Sequence, residues 1–457
     1  MSIPPLAGLC TYEEAARPGF SVAENVALML RYAWIEKRAM ETGLYWLNPT
    51  PEWEVKEALS LHLYQDAEHA RLFRVRISEM RNPPPRMDIS PDERIDRFFE
   101  ELWRAQDTLE KLVGLYGVLK PALLDAYRSH MASTNPLIDH PTRRALRVAI
   151  LEEEDALAWG QAALDAVIRT DEDRARADAW AAHLRAYLDG AGGIMNDRPA
   201  PESLPAPRAT GPFQPDFFPR RDDRFVGQWN FVFPPHEVAR TPGVPVEEKT
   251  LALMCKRTLE MDVPEAMARM IAEARDMPWD YYVDMCRQLW DEARHAMMGS
   301  VYFETKGVDW KREIPLHPGF ALRLNLHMSP LEAHAVLYTI EQSLMPAKTG
   351  KKYEWEVTMD ARDALATAFQ DYDWADEVLH AQIGRRWLLD AHKLSRDETV
   401  QLGQRMATES ENALAQYEAH GEQINWWPDF VRAVLGQESA MTEYRLGTAD
   451  PVYRAGE

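Results

Sequence analysis

Three times in this chain a carboxylate is followed three residues later by a histidine, each time in the middle of a long run with helical spacing. The pairs are Asp66–His69, Glu292–His295 and Glu377–His380. Residues three apart share one face of a helix, one turn from each other. A carboxylate and an imidazole aimed at one point form the mixed oxygen–nitrogen donor set that transition metals accept. In a four-helix bundle, two Glu-x-x-His helices plus one Glu from each of the other two helices build a dinuclear carboxylate site. The spelling alone is common in so acidic a chain. Its placement inside helices that must face one another is what restricts the fold.

The rest of the sequence supplies those helices. Apolar residues recur at helical spacing over about 21–47, 52–80, 91–131, 141–168 and 172–188, and again over 247–276, 279–305, 329–346, 358–393, 396–420 and 427–436. Proline clusters separate them, as at Asn48-Pro49-Thr50-Pro51 and Asn82-Pro83-Pro84-Pro85. No strand alternation stands out, so the fold class expected is all-α. Between 191 and 245 prolines alternate with aromatics, including Phe213, Phe217, Phe218, Trp229 and Phe231. A disordered linker would carry fewer aromatics. An ordered crossover packing onto the helices is expected there.

The two halves match in their offsets. Trp53 precedes His69 by the interval that separates Trp279 from His295. Glu36 and Glu41 are spaced as Glu260 and Glu265 are. Leu-Glu-x-x-x-x-Leu-Tyr occurs at Leu109–Tyr116 and at Leu331–Tyr338. The reading is a duplicated bundle: 1–190 as a degenerate copy, 191–245 as the crossover, 246–395 as the bundle with the metal site, and 396–457 as a helical extension. Three residues past Tyr338 stands Glu341, whereas Leu119 stands three past Tyr116. The C-terminal half therefore fills every ligand slot with Glu292, His295, Glu341, Glu377, His380 and a first-helix glutamate. For that last position Glu265 is favoured and Glu260 kept open, because Pro264 removes the hydrogen bond to the carbonyl of Glu260 and introduces a kink. The N-terminal half lacks the third-helix Glu and one His, with a single metal at Asp66, His69 and Glu152 as the alternative.

These residues resemble the ferritin-like di-iron carboxylate superfamily, and Asp-Glu-x-Arg-His at 291–295 is similar to the motif of bacterial multicomponent monooxygenase hydroxylases. The resemblance implies two tandem ferritin-like bundles and a site for two irons, with manganese also open, that activates dioxygen. Asp291 and Asp376 would receive the outer N–H of a ligand histidine. Class I ribonucleotide reductase small subunits resemble this layout but carry a radical tyrosine four residues past the first ligand histidine, where this chain has Gly299. The function expected is an oxygen-dependent di-iron oxidase or oxygenase on a small organic substrate, drawing electrons from an external donor. The alternatives are a helical binding protein without turnover and a manganese or mixed-metal oxidase.

Composition bounds partners and compartment. The net charge of −21 argues against nucleic acid and anionic membranes. No apolar run reaches the length of a membrane span. Cys10, Cys255 and Cys286 form neither a disulfide framework nor a zinc motif. A protein of the reducing cytoplasm is the expectation, with a homodimer as the base-rate assembly.

Overall fold

The computed structural model describes residues 3–199, 201–226, 235–316, 318–411 and 424–441. Among these the regular structure is helical, with no strand. The chain divides into two compact units: Met1–Trp46 with Leu61–Pro215, and Leu47–Ser60 with Asp216–Glu457. The proline-rich stretch expected as a separate crossover is thus shared between the units, and the short segment 47–60 belongs with the second.

Unit 1 contains most of α1 (Val22–Leu47) and α2 (Trp53–Met80), then α3 (Glu93–Leu102), α4 (Thr108–Leu112), α5 (Lys120–Ser133), α6 (His140–Val167) and α7 (Asp171–Gly190). Helices α4 and α5 are joined by π-helical winding over Val113–Leu119. The wider turn carries Lys120 onto the buried face, where it is 1% exposed. Phe213 packs against Tyr45 and Trp103 at ring distances of 5.5 and 5.7 Å.

Unit 2 is built from α8 (Val246–Leu259), α9 (Asp262–Glu273), α10 (Trp279–Glu304), α11 (Gly319–His327), α12 (Pro330–Ser343), α13 (Lys351–Asp360), α14 (Ala364–Gly384), α15 (Arg396–Glu411) and α16 (Trp427–Leu435). Helix α10 buries Tyr281, Met285, Gln288, Glu292, His295, Gly299 and Phe303 on one stripe. Two of its would-be ligands therefore face inward because the apolar period carries them there. Helix α12 opens with a capping box between Ser329 and Glu332 and with Pro330 in its first turn. The Asp363 side chain caps α14 by accepting from Ala366 N at 3.0 Å.

Two glycines set the helix spacing around the site. A Cβ on Gly299 would lie 2.5 Å from Thr258 N, so α8 and α10 approach backbone to backbone. A Cβ on Gly384 would lie 2.4 Å from Tyr338 Cδ2, which seats α14 on α12. Unit 1 repeats the second contact: a Cβ on Gly160 would meet Tyr116 Cγ at 2.3 Å. Gly160 and Gly384 each lie seven residues past an inward-facing glutamate, Glu153 and Glu377. Elsewhere Phe225 packs with Trp53 and Trp310 at 5.3 and 5.9 Å, and Phe217 is buried. Trp229 and Phe231 lie outside the described residues.

Candidate metal centre

In unit 2 four helical segments deliver donors to one buried region. Glu292, Glu341, Glu377 and His380 bring one ligand atom each within 4.8 Å of one another. Glu260, Glu292 and His295 form an adjoining group, as do His295, Asp373 and Glu377. Glu292 and Glu377 thus stand between two positions. The histidine rings lie 6.0 Å apart, one on α10 and one on α14.

Both imidazoles are oriented the same way. His295 turns Nε2 to Asp376 Oδ2 at 3.2 Å, and His380 turns Nε2 to Asp291 Oδ2 at 3.5 Å. Each outer carboxylate is held by arginine: Arg287 Nε lies 2.9 Å from both Asp291 oxygens, and Arg294 Nη2 lies 2.8 Å from Asp376 Oδ2. Arg294 also pairs with Asp291. An outer carboxylate that accepts the Nε2 proton leaves Nδ1 as the inward donor. His295 Nδ1 faces Asp373 at 3.4, Glu292 at 3.5 and Glu260 at 3.7 Å. His380 Nδ1 faces Glu292 at 3.2 and Glu377 at 3.4 Å.

The inward atoms are short of partners. His295 Nδ1, His380 Nδ1, Glu260 Oε2, Glu341 Oε2 and Glu377 Oε2 are buried and make no hydrogen bond among the described residues. Glu341 Oε1 accepts from Gln288 Nε2 at 3.1 Å. Burial, then the carboxylates of Glu377 and Glu292, push the Glu341 carboxyl well above its usual range. Burial opposes ionisation of Glu292 too, but the close approach of the His295 and His380 imidazoles wins and holds it down at about 2. For His295 burial favours the neutral ring, yet Asp373 and then the bond to Asp376 outweigh it and raise the imidazole to about 10.

Three residues that the sequence reading passed over shape this region. Asp373 is fully buried. It lies on α14 in the stripe Asp373–Glu377–His380, whose four- and three-residue spacing was available as a signal. Lys351, at the start of α13, puts Nζ 2.8 Å from both Asp373 oxygens and 2.9 Å from Glu377 Oε1. Arg257 on α8 pairs with Asp373 and lies 2.6 Å from Glu260 Oε1. Both cations are fully buried. No spacing rule announces them, because they come from other helices.

Of the two first-helix candidates, Glu260 lies beside Glu292 and His295, and Glu265 does not. Helix α8 ends at Leu259, and α9 starts afresh at Asp262. Pro264 offers no N–H to the carbonyl of Glu260, which instead accepts from Val263 N at 3.1 Å in a tight turn. The break resets the register, so Glu265 does not continue the face of the preceding helix. Glu265 instead meets Lys56 Nζ at 2.7 Å and both terminal nitrogens of Arg221 at 2.5 and 2.9 Å. Burial resists its ionisation, but Arg221 and Lys56 hold its carboxyl below the ordinary value.

Unit 1 brings Glu36, Asp66, His69 and Glu153 within the same 4.8 Å range. The fourth-helix carboxylate that faces inward is Glu153. Glu152, assigned that place from the sequence, sits outside the ring of His69 and accepts from Nε2 at 2.8 Å. Asp155 is exposed. Comparison of the chain with protein-family models, with curated proteins and with solved structures finds no match.

Proposed function

We propose that unit 2 holds a dinuclear metal centre of the ferritin-like carboxylate type and is an oxygen-dependent oxidase or oxygenase acting on a small organic molecule. The observation that carries this reading is the set of buried donor atoms without hydrogen bonds, Glu260 Oε2, His295 Nδ1, Glu341 Oε2, Glu377 Oε2 and His380 Nδ1, on residues grouped from four helical segments. Unpaired polar atoms in a dry interior are costly, and a cation is the partner that satisfies carboxylates and imidazole nitrogens together. Charge fits as well. Five inner carboxylates (Glu260, Glu292, Glu341, Asp373, Glu377) face Arg257 and Lys351, and protons held on Glu341, His295 and His380 make up the balance in the metal-free chain; bound cations would take their place.

One position would be held by Glu292, Glu341, Glu377 and His380, and the other by Glu260, His295 and Asp373, with Glu292 and Glu377 within reach of both. Two iron ions there would supply dioxygen chemistry, with electrons from an external donor; the same oxygen–nitrogen set serves manganese. The chain's residues do the rest. Asp376 fixes the tautomer of His295, and Asp291 lies on the outer side of His380. Gln288 orients Glu341 through its carboxyl. Lys351 and Arg257 place positive charge beside Asp373. That lowers the charge a metal must balance.

A second reading rests on those same two cations. In a metal-free helical binding protein, Lys351 and Arg257 would hold the carboxylates by themselves. Metal analysis separates the readings: protein loaded anaerobically with ferrous iron, then exposed to O2 in an optical spectrometer. About two irons bound in unit 2, with a transient absorption lost in Glu341→Ala, supports the di-iron reading. No bound metal and no response to O2 sinks it. For the compartment, no described helix is long and apolar enough to cross a membrane.

A further inference from the structure

The buried cluster of unit 1 has a composition that a degenerate copy does not need. Glu36, Asp66 and Glu153 are at most 2% exposed and His69 is 1% exposed. Lys120 enters from the π-wound segment and puts Nζ 2.8 Å from Asp66 Oδ1 and 2.9 Å from Glu153 Oε1. It stands in the third-helix slot that Glu341 fills in unit 2. One ammonium and one imidazole share a dry core with three carboxylates. Such a core does not tolerate unpaired charge.

The unpaired atoms all belong to this cluster. Tyr127 donates its phenol to Glu36 Oε1, and Lys120 takes Asp66 Oδ1 and Glu153 Oε1. That leaves Glu36 Oε2, Glu153 Oε2 and His69 Nδ1, all buried without a hydrogen bond. His69 is oriented as the unit 2 histidines are: Nε2 faces Glu152 at 2.8 Å, and Nδ1 faces Glu36 Oε1 at 3.3 Å and Glu153 Oε1 at 3.9 Å. Around them Tyr32, Phe73 and Tyr127 pack ring to ring at 5.0 to 5.5 Å.

We propose that unit 1 holds one divalent transition-metal ion on Glu36, His69 and Glu153, with the Lys120 ammonium standing where a dinuclear site would carry its second ion. Two carboxylates and one imidazole are a hard-to-borderline donor set, suited to manganese, iron, cobalt or zinc in the divalent state. The aromatic layer and the near-zero exposure of every ligand make it a structural ion that ties α1, α2 and α6 together.

The test uses Co(II) as the probe on the full chain, with stoichiometry from elemental analysis and d–d absorption for an ion in a nitrogen–oxygen site. A Glu292→Gln/His380→Gln variant is first checked for helical circular dichroism and a cooperative melt. It is expected to retain one tightly bound Co(II) per chain that raises its melting temperature. Adding His69→Gln should remove that ion and its absorption. His69→Gln in the otherwise unaltered chain should lower the total by one. No ion held by the Glu292→Gln/His380→Gln chain overturns the proposal. So does a His69→Gln change that leaves both count and spectrum as they were. If Lys120 is the sole cation of the cluster, the unaltered unit 1 binds nothing and Lys120→Met creates a site; that pattern also overturns it. Failure of the unit 2 reading looks different: the chain then holds one ion, sensitive to His69→Gln and indifferent to Glu292→Gln.

Discussion

Lys351→Met tests whether a buried ammonium does part of a cation's work in unit 2. The wild-type Nζ lies within 2.9 Å of three carboxylate oxygens on Asp373 and Glu377, with no exposure. Removing one partner of a buried charge pair costs about 3–5 kcal/mol, because the other stays buried and unpaired. For a domain of this size that is roughly 2–4 °C per kcal/mol, so the metal-free variant should melt roughly 6–20 °C lower. Metal binding should move the other way. An ammonium and a divalent ion about 4 Å apart repel by about 8 kcal/mol at an effective dielectric of about 20, and the variant is freed of that repulsion. Even a fifth of it raises metal affinity by about tenfold. A free metal concentration of about 100 times the Kd then restores about 2.7 kcal/mol. Thermal melts of metal-free and Mn(II)-loaded protein, with titration calorimetry for affinity, measure both effects. A metal-free variant that melts with the wild type, or one that binds Mn(II) no more tightly, refutes the reasoning.

Other expectations follow from the same geometry. Glu265→Ala should destabilise the chain by roughly 3–5 kcal/mol, since it strands Lys56 and Arg221, yet leave metal stoichiometry unchanged; Glu260→Ala should lower metal affinity instead, as elemental analysis will show. Gly299→Ala drives a methyl to 2.5 Å from Thr258 N and should cost about 1–3 kcal/mol or more, read from denaturant midpoints. Asp376→Asn should weaken metal binding by roughly 10–100-fold, because it no longer fixes the His295 ring as an acceptor does. Metal uptake should release protons at pH 7, since His295 titrates at about 10 and His380 and Glu341 well above their ordinary values in the metal-free chain. A raised histidine pKa stabilises the metal-free fold fully below its unfolded value and loses that contribution as pH rises through about 10. The metal-free melting temperature should therefore fall from pH 7 to 10 by an increment that the loaded protein does not share; an indicator-dye titration with no proton release would count against it.

Much of this was legible in one dimension. Helical period carried Glu292 and His295 onto the buried stripe of α10, and the three-residue spacing did the same for Glu377 and His380 on α14. Both are local rules, fixed by 3.6 residues per turn. Glu341 was readable as an acidic residue inside an apolar stretch. Tertiary structure decided what depends on turns and on other helices. The break at Glu260 separated Glu260 from Glu265 and sent the latter to Lys56 and Arg221. The π winding before Lys120 shifted the inward position by one residue, so that an ammonium rather than Leu119 enters the unit 1 cluster. Register on α6 turned Glu153 inward and put Glu152 behind His69. Lys351 and Arg257 reach the centre from α13 and α8, and no spacing along the chain records that approach. Sequence determines which face of a helix is buried; only packing decides which charges meet there, because charge pairing acts through space between segments distant in the chain.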